Sequence, residues 1–596
     1  YDEQQFPSML ADPRAARVAL APHEISMTGG AYLGFGDGGG PAVQSPQGAD
    51  TFHAPLAPRA LAWAAQYTAD AAVARLHETV MSRQFVSQGM TILDGVGLAV
   101  LRSAGTPEHA AAGIVYGDTS GHRHQDLLDV QLWVKGQPFL SDLGYPQSWA
   151  SRVRWEGHWA THNTVWATVP GVSSDLAGRG RVLRSIEMDG LQLIEIEAAR
   201  WIQGADDENP SHWTRTDVRF RRLLALLQTD EDGVVLIDFS RVQGGDEHFR
   251  LCRGLEGELE ILDAPPTPRT GTLAAPDVER GEDESLRHTD HRGLAWMDEV
   301  EEVAQADGWC GRWRSRRNDE AEMDMFVLRA SGAQALTGRA TATMGTPESS
   351  TYSYRTVCWR VPERTQEMSH FDLVFEPRLG PTKLTSVQPI DAQDGSAIGV
   401  DIHTCGSRHL QLRWSPEGET SFAGQPCGAL RIDLADKTIV TGTPCKATII
   451  GLDREGVWID VDGLVGIGVG DRLIINPEGR GRNYRVIDCQ AVDGGQRLCL
   501  DVTSILGRSR VEKLEGTQLL GRYTVFTRTG YLQGARLCAD LRGDTQGIEI
   551  LQAWNPDGQH TQFELLTTPD LGVNEWGWVV DYVVGDTVVW EPIQVE

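Results

Sequence analysis

From Leu98 onward the sequence is a succession of short apolar runs cut by glycine, aspartate and asparagine: LAVLRSA, DVQLWVKG, NTVWATV, LQLIEIEAA, FRRLLALL and GVVLIDFSRV, continuing in this style to about residue 380. Runs of this length, rich in branched residues and bounded by turn formers, make strands rather than helices. The chain has 596 residues, more than one hydrophobic core can serve, so about two to four domains are expected. With 65 Gly, 28 Pro and 18 Trp, the fold class expected is mainly β with an α-helical N-terminal part.

Before this region, PRALAWAAQYTADAAVARLHETVMS (58–82) has the Ala and Leu content of a helix, whereas MTGGAYLGFGDGGGPAVQSPQGAD (27–50) reads as loop. Gly34, Gly36 and Gly39 fit GxGxxG, but no strand precedes and no helix follows, which argues against a dinucleotide site. DAPPTPRTGTLAAPDVERGEDESLRHTDHRG (263–293) is a long polar loop among strands. Beyond it, TPCKATIIGLDREGVWIDVDGLVGIGVGDRLIINPEGRGRNYRVIDCQ (443–490) has the short runs and tight turns of a small barrel, and the last hundred or so residues continue likewise. Asp460 and Asp462 are a fragment of a calcium loop without the rest of its pattern, and the Arg-Gly-Asp at 542–544 is a three-residue coincidence.

The totals exclude several classes. No apolar run approaches the roughly 20 residues that span a bilayer, so a soluble chain is expected. A net charge of −29 disfavours nucleic acid as a partner. The nine cysteines all follow residue 251 and form no CxxC pair, which argues against a zinc ribbon and a dense disulfide framework while allowing one or two bridges. No GxSxG elbow supports a serine hydrolase. The first residues, YDEQQFPSML, are neither an initiator Met nor a signal peptide, which suggests a processed form or a fragment.

One stretch concentrates chemistry: SGHRHQDLLDVQLWVKGQPFLSDLGY (120–145). On an extended strand His122, His124, Asp126, Leu128, Val130, Leu132 and Val134 share one face, so an apolar face ends in imidazoles and a carboxylate. His109, His158 and His162 lie nearby. Imidazole is the commonest metal ligand and titrates near neutrality; two histidines with a carboxylate suffice for Zn2+. A single histidine at a strand end is most often a satisfied structural residue, but five within this span weigh against that for the group. Arg152, Arg154, Arg179, Arg181 and Arg184 crowd the following region, as a solvated strand face or as a basic cleft for an anion.

These residues resemble the heparinase II/III family of polysaccharide lyases. The likeness rests on GHxHxD at Gly121 to Asp126, the strand ending at Gly136, LSDLG at 140–144, the tryptophan-rich approach to THNTV at 161–165, and FGDGG at 35–39 followed by a helix. It is strongest from about residue 30 to 250, reaches about 380 and stops there. The fold it implies is a partial (α/α) toroid (1–95), then a large antiparallel β-sandwich (96–380), then a C-terminal β-rich accessory region (381–596) of one or two small domains. Residue by residue, it implies that His122 is catalytic and that His124, Asp142 and His162 hold a mainly structural zinc. A tight hairpin at Gly136-Gln137 would leave Asp142 about seven residues, or roughly 23 Å of strand, from His124, so the His segment must curl back if Asp142 is a ligand.

The chemistry implied is β-elimination on an acidic, uronate-containing polysaccharide, in the periplasm or outside the cell. Arg102, Arg152, Arg154 and Asn163 are candidates for binding the substrate carboxylate. Family members carry a catalytic tyrosine and an Asn or His partner upstream of HxH, and no matching pair precedes His122 here. Tyr32, Tyr67 and Tyr116 read as structural, so Tyr145, nearer the cluster, is taken as the substitute. This departure suggests the C-terminal part of a longer lyase, completed by an N-terminal toroid segment or by a homo-oligomer. Two other classes stay open: a non-catalytic glycan-binding or scaffold protein that keeps the zinc site, and a metal-dependent hydrolase or oxygenase that works through HxH and a carboxylate.

Overall fold

The structure is a computed structural model and describes residues 13–28, 31–36, 58–68, 70–82, 89–103, 110–117, 124–144, 154–169, 176–203, 213–229, 233–281, 284–287, 289–330, 332–341, 353–362, 368–391, 398–416, 420–422, 425–454, 457–464, 466–542 and 545–596. Three short helices come first: α1 (Pro13–Glu24), α2 (Pro58–Thr68) and α3 (Ala71–Met81). The single helix expected over 58–82 is broken because Asp70 accepts the Ala72 and Val73 N–H groups at 2.8 and 3.1 Å, capping a new helix. Leu61 and Leu76 bury the contact between α2 and α3.

All other regular structure is antiparallel β apart from short 3-10 turns. A five-stranded meander runs Thr91–Leu93, Leu98–Arg102, Ala110–Val115, Val130–Val134 and Gln137–Leu140. An eight-stranded sheet is centred on Val234–Gln243, paired with Trp213–Gln228 on one side and Ser369–Leu379 on the other. A six-stranded sheet includes Val165–Ala167, His248–Arg253 and Ser353–Val361.

The central strand Val234–Gln243 opens with four apolar residues in succession, and the fold explains why. Val234, Leu236 and Val242 face the core shared with the meander and the six-stranded sheet. Val235, Ile237 and Phe239 face a second core, covered by an outer sheet that includes Leu384–Asp391, Ile398–Thr404 and His409–Trp414. Both faces of the strand are therefore dry, so most of its side chains are apolar, and its buried charges are paired, Asp238 with Arg222 and Arg250 and Arg241 with Asp372.

The barrel-like pattern after residue 443 corresponds to two closed six-stranded barrels. The chain leaves the outer sheet, builds most of the first barrel, makes the second, returns through Thr587–Trp590 to close the first and ends with Ile593–Val595 on the outer sheet. Asp460, part of the calcium-like fragment, instead pairs across strands with Arg497 at 2.6 Å. The eight described cysteines are all free thiols. Among the described residues no helix is long and apolar enough to cross a membrane.

Candidate metal centre

Three separate segments converge beside the meander. The first is His124 to Asp129, where the alternating strand expected from His122 does not form. Strand pairing starts only at Val130. Before it the chain turns back, with Leu128 at φ 61° and the Asp129 N–H bonded to the Asp126 carbonyl at 2.9 Å. This is the curl that a shared site with Asp142 requires. The second segment follows Gln137–Leu140, where Oδ1 of Asp142 accepts the Gly144 N–H at 2.5 Å and Gly144 takes φ 77°, a conformation natural to glycine. The third is the short 3-10 helix Trp159–Thr161, whose C-cap is His162.

His124, Asp142 and His162 each bring one ligand-type atom within 4.8 Å of the others, and all three residues are buried. The imidazole centroids of His124 and His162 are 5.5 Å apart. Oδ2 of Asp142 lies 2.8 Å from Nδ1 of His162, yet neither atom has a hydrogen-bond partner of acceptable geometry among the described residues, and Nε2 of His162 has none either. Close donor atoms that do not point at one another are what a shared cation would organise. Two nitrogens and one oxygen supply three of the four positions of a tetrahedral Zn2+.

The electrostatics favour a cation. Asp126, Asp129 and Asp142 are all removed from solvent. Burial raises the Asp129 carboxyl to about 6 despite the charge of His162. Burial also acts on Asp142, but the neighbouring charges of His162, His124 and Arg253 prevail and hold it at about 2. Burial raises Asp126 as well, although it accepts the Gly36 N–H at 2.8 Å. Several carboxylates and two imidazoles thus share one enclosed volume, a setting in which a bound divalent ion offsets the repulsion among the acids.

The surrounding frame contains residues that the sequence did not single out. Arg253 donates to the Thr161 carbonyl at 2.5 Å and to the Ser141 carbonyl, gripping the residues immediately before His162 and Asp142. Its own N–H bonds Oδ1 of Asn163 at 2.7 Å. Arg222 donates to the Leu128 and Asn163 carbonyls and pairs with Asp238, which also binds Arg250 at 2.6 Å. Gln131 exchanges two hydrogen bonds with the backbone of Gly34, at 2.9 and 2.6 Å. Gly34 and Gly36, from the stretch that mimicked a dinucleotide motif, therefore lie against the cluster, and Gly34 is so close that a Cβ there would sit 3.3 Å from Cβ of Asp142. Arg253 carries no local signal, because its partners lie about a hundred residues upstream.

Other candidates have different surroundings. Arg102 is 6% exposed, and all five of its N–H donors are committed to the Glu24, Ser26 and Gly89 carbonyls and to Thr91. It ties the helical segment to the meander and keeps no donor for a substrate carboxylate. Asn163 is buried, and its Oδ1 accepts from the Arg253 N–H, so it braces the site through its oxygen. Arg154 lies 5.3 Å from the centroid of Trp296. His158 caps Trp159–Thr161 through Nδ1, and burial pulls its pKa down to about 3, keeping it neutral. His122, Tyr145 and Arg152 lie outside the described residues. The later arginines meet the barrels: Arg181 bonds the Pro477 carbonyl, Arg184 pairs with Glu591 and Arg179 donates to the Gly530 carbonyl at 3.1 Å.

Stacked antiparallel sheets with a buried His-Asp-His cluster at the edge of a meander define a multi-sheet β protein with a candidate zinc centre. Residues 89–347 match the family model described as Heparinase II/III-like, C-terminal. A heparan sulfate lyase from Pedobacter heparinus is 12% identical over 65% of this chain and 50% of its own, with a TM-score of 0.42. A heparinase III is 13% identical over 69% of this chain and 56% of its own, with a TM-score of 0.42. The chain thus spans about half the length of these solved structures. No curated protein matches the sequence.

Proposed function

We propose that this chain is the C-terminal part of a polysaccharide lyase that cleaves an acidic, uronate-containing glycan by β-elimination, with the three N-terminal helices as the last part of an (α/α) toroid. The observation that carries the reading is the convergence of His124, Asp142 and His162 inside the region that matches the heparinase II/III-like family. These three residues would hold Zn2+, which supplies a rigid crosslink between the three segments. Complete burial of Asp142 and His162 suits such a structural ion better than a metal that must meet substrate, and so disfavours the hydrolase or oxygenase alternative.

Elimination from a uronate removes the proton at C5, beside the carboxylate, and expels the oxygen at C4, leaving a double bond between C4 and C5. The C5 proton is weakly acidic, so the carboxylate must be neutralised and its enolate-like charge stabilised by nearby donors. A positioned base and acid then handle the two protons. His122, two residues before the ligand His124, and Tyr145, three residues after Asp142, are assigned to this chemistry; each is tethered to a zinc-bound segment. Arg152 and Arg154 are assigned to the carboxylate. Arg102 and Asn163 serve the frame.

The test is the ultraviolet absorbance of the unsaturated uronate during incubation with a panel of acidic polysaccharides. A rise with one glycan that is lost in His122→Ala, with unchanged folding, is the expected result. Full turnover by His122→Ala removes the catalytic assignment. No rise with any glycan, from folded and zinc-loaded protein, favours a glycan-binding role.

A further inference from the structure

The outer sheet carries a second group of metal-ligand side chains, remote in sequence from the first. Strands Ile398–Thr404 and His409–Trp414 form an antiparallel hairpin in which His403 lies directly opposite His409 and Asp401 opposite Gln411. Val400, Ile402, Leu410 and Leu412 point into the core beneath and are at most 4% exposed. With period two, that anchoring turns Asp401, His403 and His409 outward together. The scaffold is fixed from below, so the register of the three is fixed too.

Their ligand atoms lie within chelating reach of one another, and a modest tilt of the two rings would bring their in-plane lone pairs onto one ion. The rings of His403 and His409 stack with centroids 4.4 Å apart and planes within 8°. Nε2 of His409 is 2.5 Å from Oδ1 of Asp401, and Nε2 of His403 is 3.5 Å from Oδ2 of the same carboxylate. One ligand-type atom from each residue lies within 4.8 Å of the others. Both imidazole side chains are about half exposed, at 47% and 49%, which leaves room for water on a bound ion. Gln411, whose Nε2 is 3.1 Å from Nε2 of His409, is the neighbour that would have to turn aside.

We infer that Asp401, His403 and His409 form a solvent-facing site for a borderline divalent cation of the Zn2+, Ni2+ or Cu2+ type. Two imidazole nitrogens and one carboxylate oxygen match these ions, whereas Ca2+ and Mg2+ require shells of oxygen. The ion takes the place of the imidazole proton now directed at Asp401. The hairpin fixes the two backbones in cross-strand register, so binding has only side-chain rotations left to order. Unlike the enclosed His124, Asp142 and His162 cluster, this site keeps coordination positions open to water and exchanges its metal readily.

The test is calorimetric titration of the full chain with Zn2+ after treatment with a chelator, in parallel with His403→Ala, His409→Ala, Asp401→Asn and His162→Ala. The wild type takes up a readily exchanged equivalent. Each histidine variant weakens that equivalent at least about tenfold, and Asp401→Asn, which keeps the shape and removes the charge, weakens it about tenfold. Thermal midpoints in chelator stay at the wild-type value for the three hairpin variants, since the altered side chains are outside the core. His162→Ala leaves this equivalent in place, which separates the site from the buried cluster even if that cluster binds no metal. Absence of a readily exchanged equivalent in the wild type, or unchanged affinity in both histidine variants, overturns the inference.

Discussion

Oδ2 of Asp142 and Nδ1 of His162 stand 2.8 Å apart in a solvent-free site without the alignment of a hydrogen bond. Polar groups buried this deeply need aligned partners, and a cation held between them would serve both. At the proposed zinc centre, His162→Ala should therefore abolish tight zinc binding and lower stability by about 3 kcal/mol or more, since a structural metal would contribute directly to folding. Metal content by plasma emission and a denaturant titration check this together. Retention of one equivalent of tightly held zinc by His162→Ala would count against the centre.

Arg253 reaches the carbonyls next to two ligands with one guanidinium. Arg253→Lys keeps the charge but cannot span both, because lysine offers a single ammonium in place of a planar fork. The expected result is a loss of zinc affinity of about tenfold or more, read by competition with a chromogenic chelator. Equal affinity in the variant would show that the two segments hold their positions without it.

Gly178, on the strand Leu176–Met188, faces Leu127 of the ligand loop, and a Cβ there would fall 2.2 Å from one Leu127 methyl carbon. Gly178→Ala should cost about 1–3 kcal/mol through overpacking. Leu127→Ala in the same chain should recover part of that loss, giving a coupling in a double-mutant cycle. Strict additivity of the two changes would mean that the contact does not constrain the loop.

Stability should fall as the solution is acidified. Burial, reinforced by Arg241 and Arg329, takes His370 down to about 3, and burial with Arg292 takes His158 down to about 3. The unfolded chain binds these protons near pH 6.5, while the folded chain refuses them until near pH 3. Stability is thus fully present above the unfolded pKa and is lost as pH drops below it, by about 1 kcal/mol per histidine between pH 7 and 5.5. Denaturant midpoints at the two pH values measure the loss, and His370→Gln should reduce it. A midpoint independent of pH over that interval contradicts these neutral histidines.

Much of the β architecture was legible because strand periodicity is local. Runs such as Leu191 to Ala199 and Val234 to Val242 declare themselves by composition alone, and the doubly buried character of the second shows in the four successive apolar residues Val234 to Ile237. The His124 to Asp129 segment misled for the same reason. A turn with Leu128 at positive φ satisfies no rule of alternation, and a branched apolar residue is an uncommon occupant of that conformation. The helical run was divided at Asp70, a capping residue hidden within otherwise favourable helix formers.

The sequence by itself determined the strands, the barrel-like C-terminal pattern and the resemblance that brought His124, Asp142 and His162 forward, since spacing and residue type are properties of neighbours along the chain. Only the tertiary structure decided which polar groups meet. Arg102 proved to be consumed by backbone carbonyls and Thr91, and Arg179, Arg181 and Arg184 proved to meet the barrel region. A side chain's function depends on which of its donors remain after the fold has used the others, and those partners come from distant segments. Enclosure likewise turns carboxylates that would be ordinary in water into a site that favours a cation.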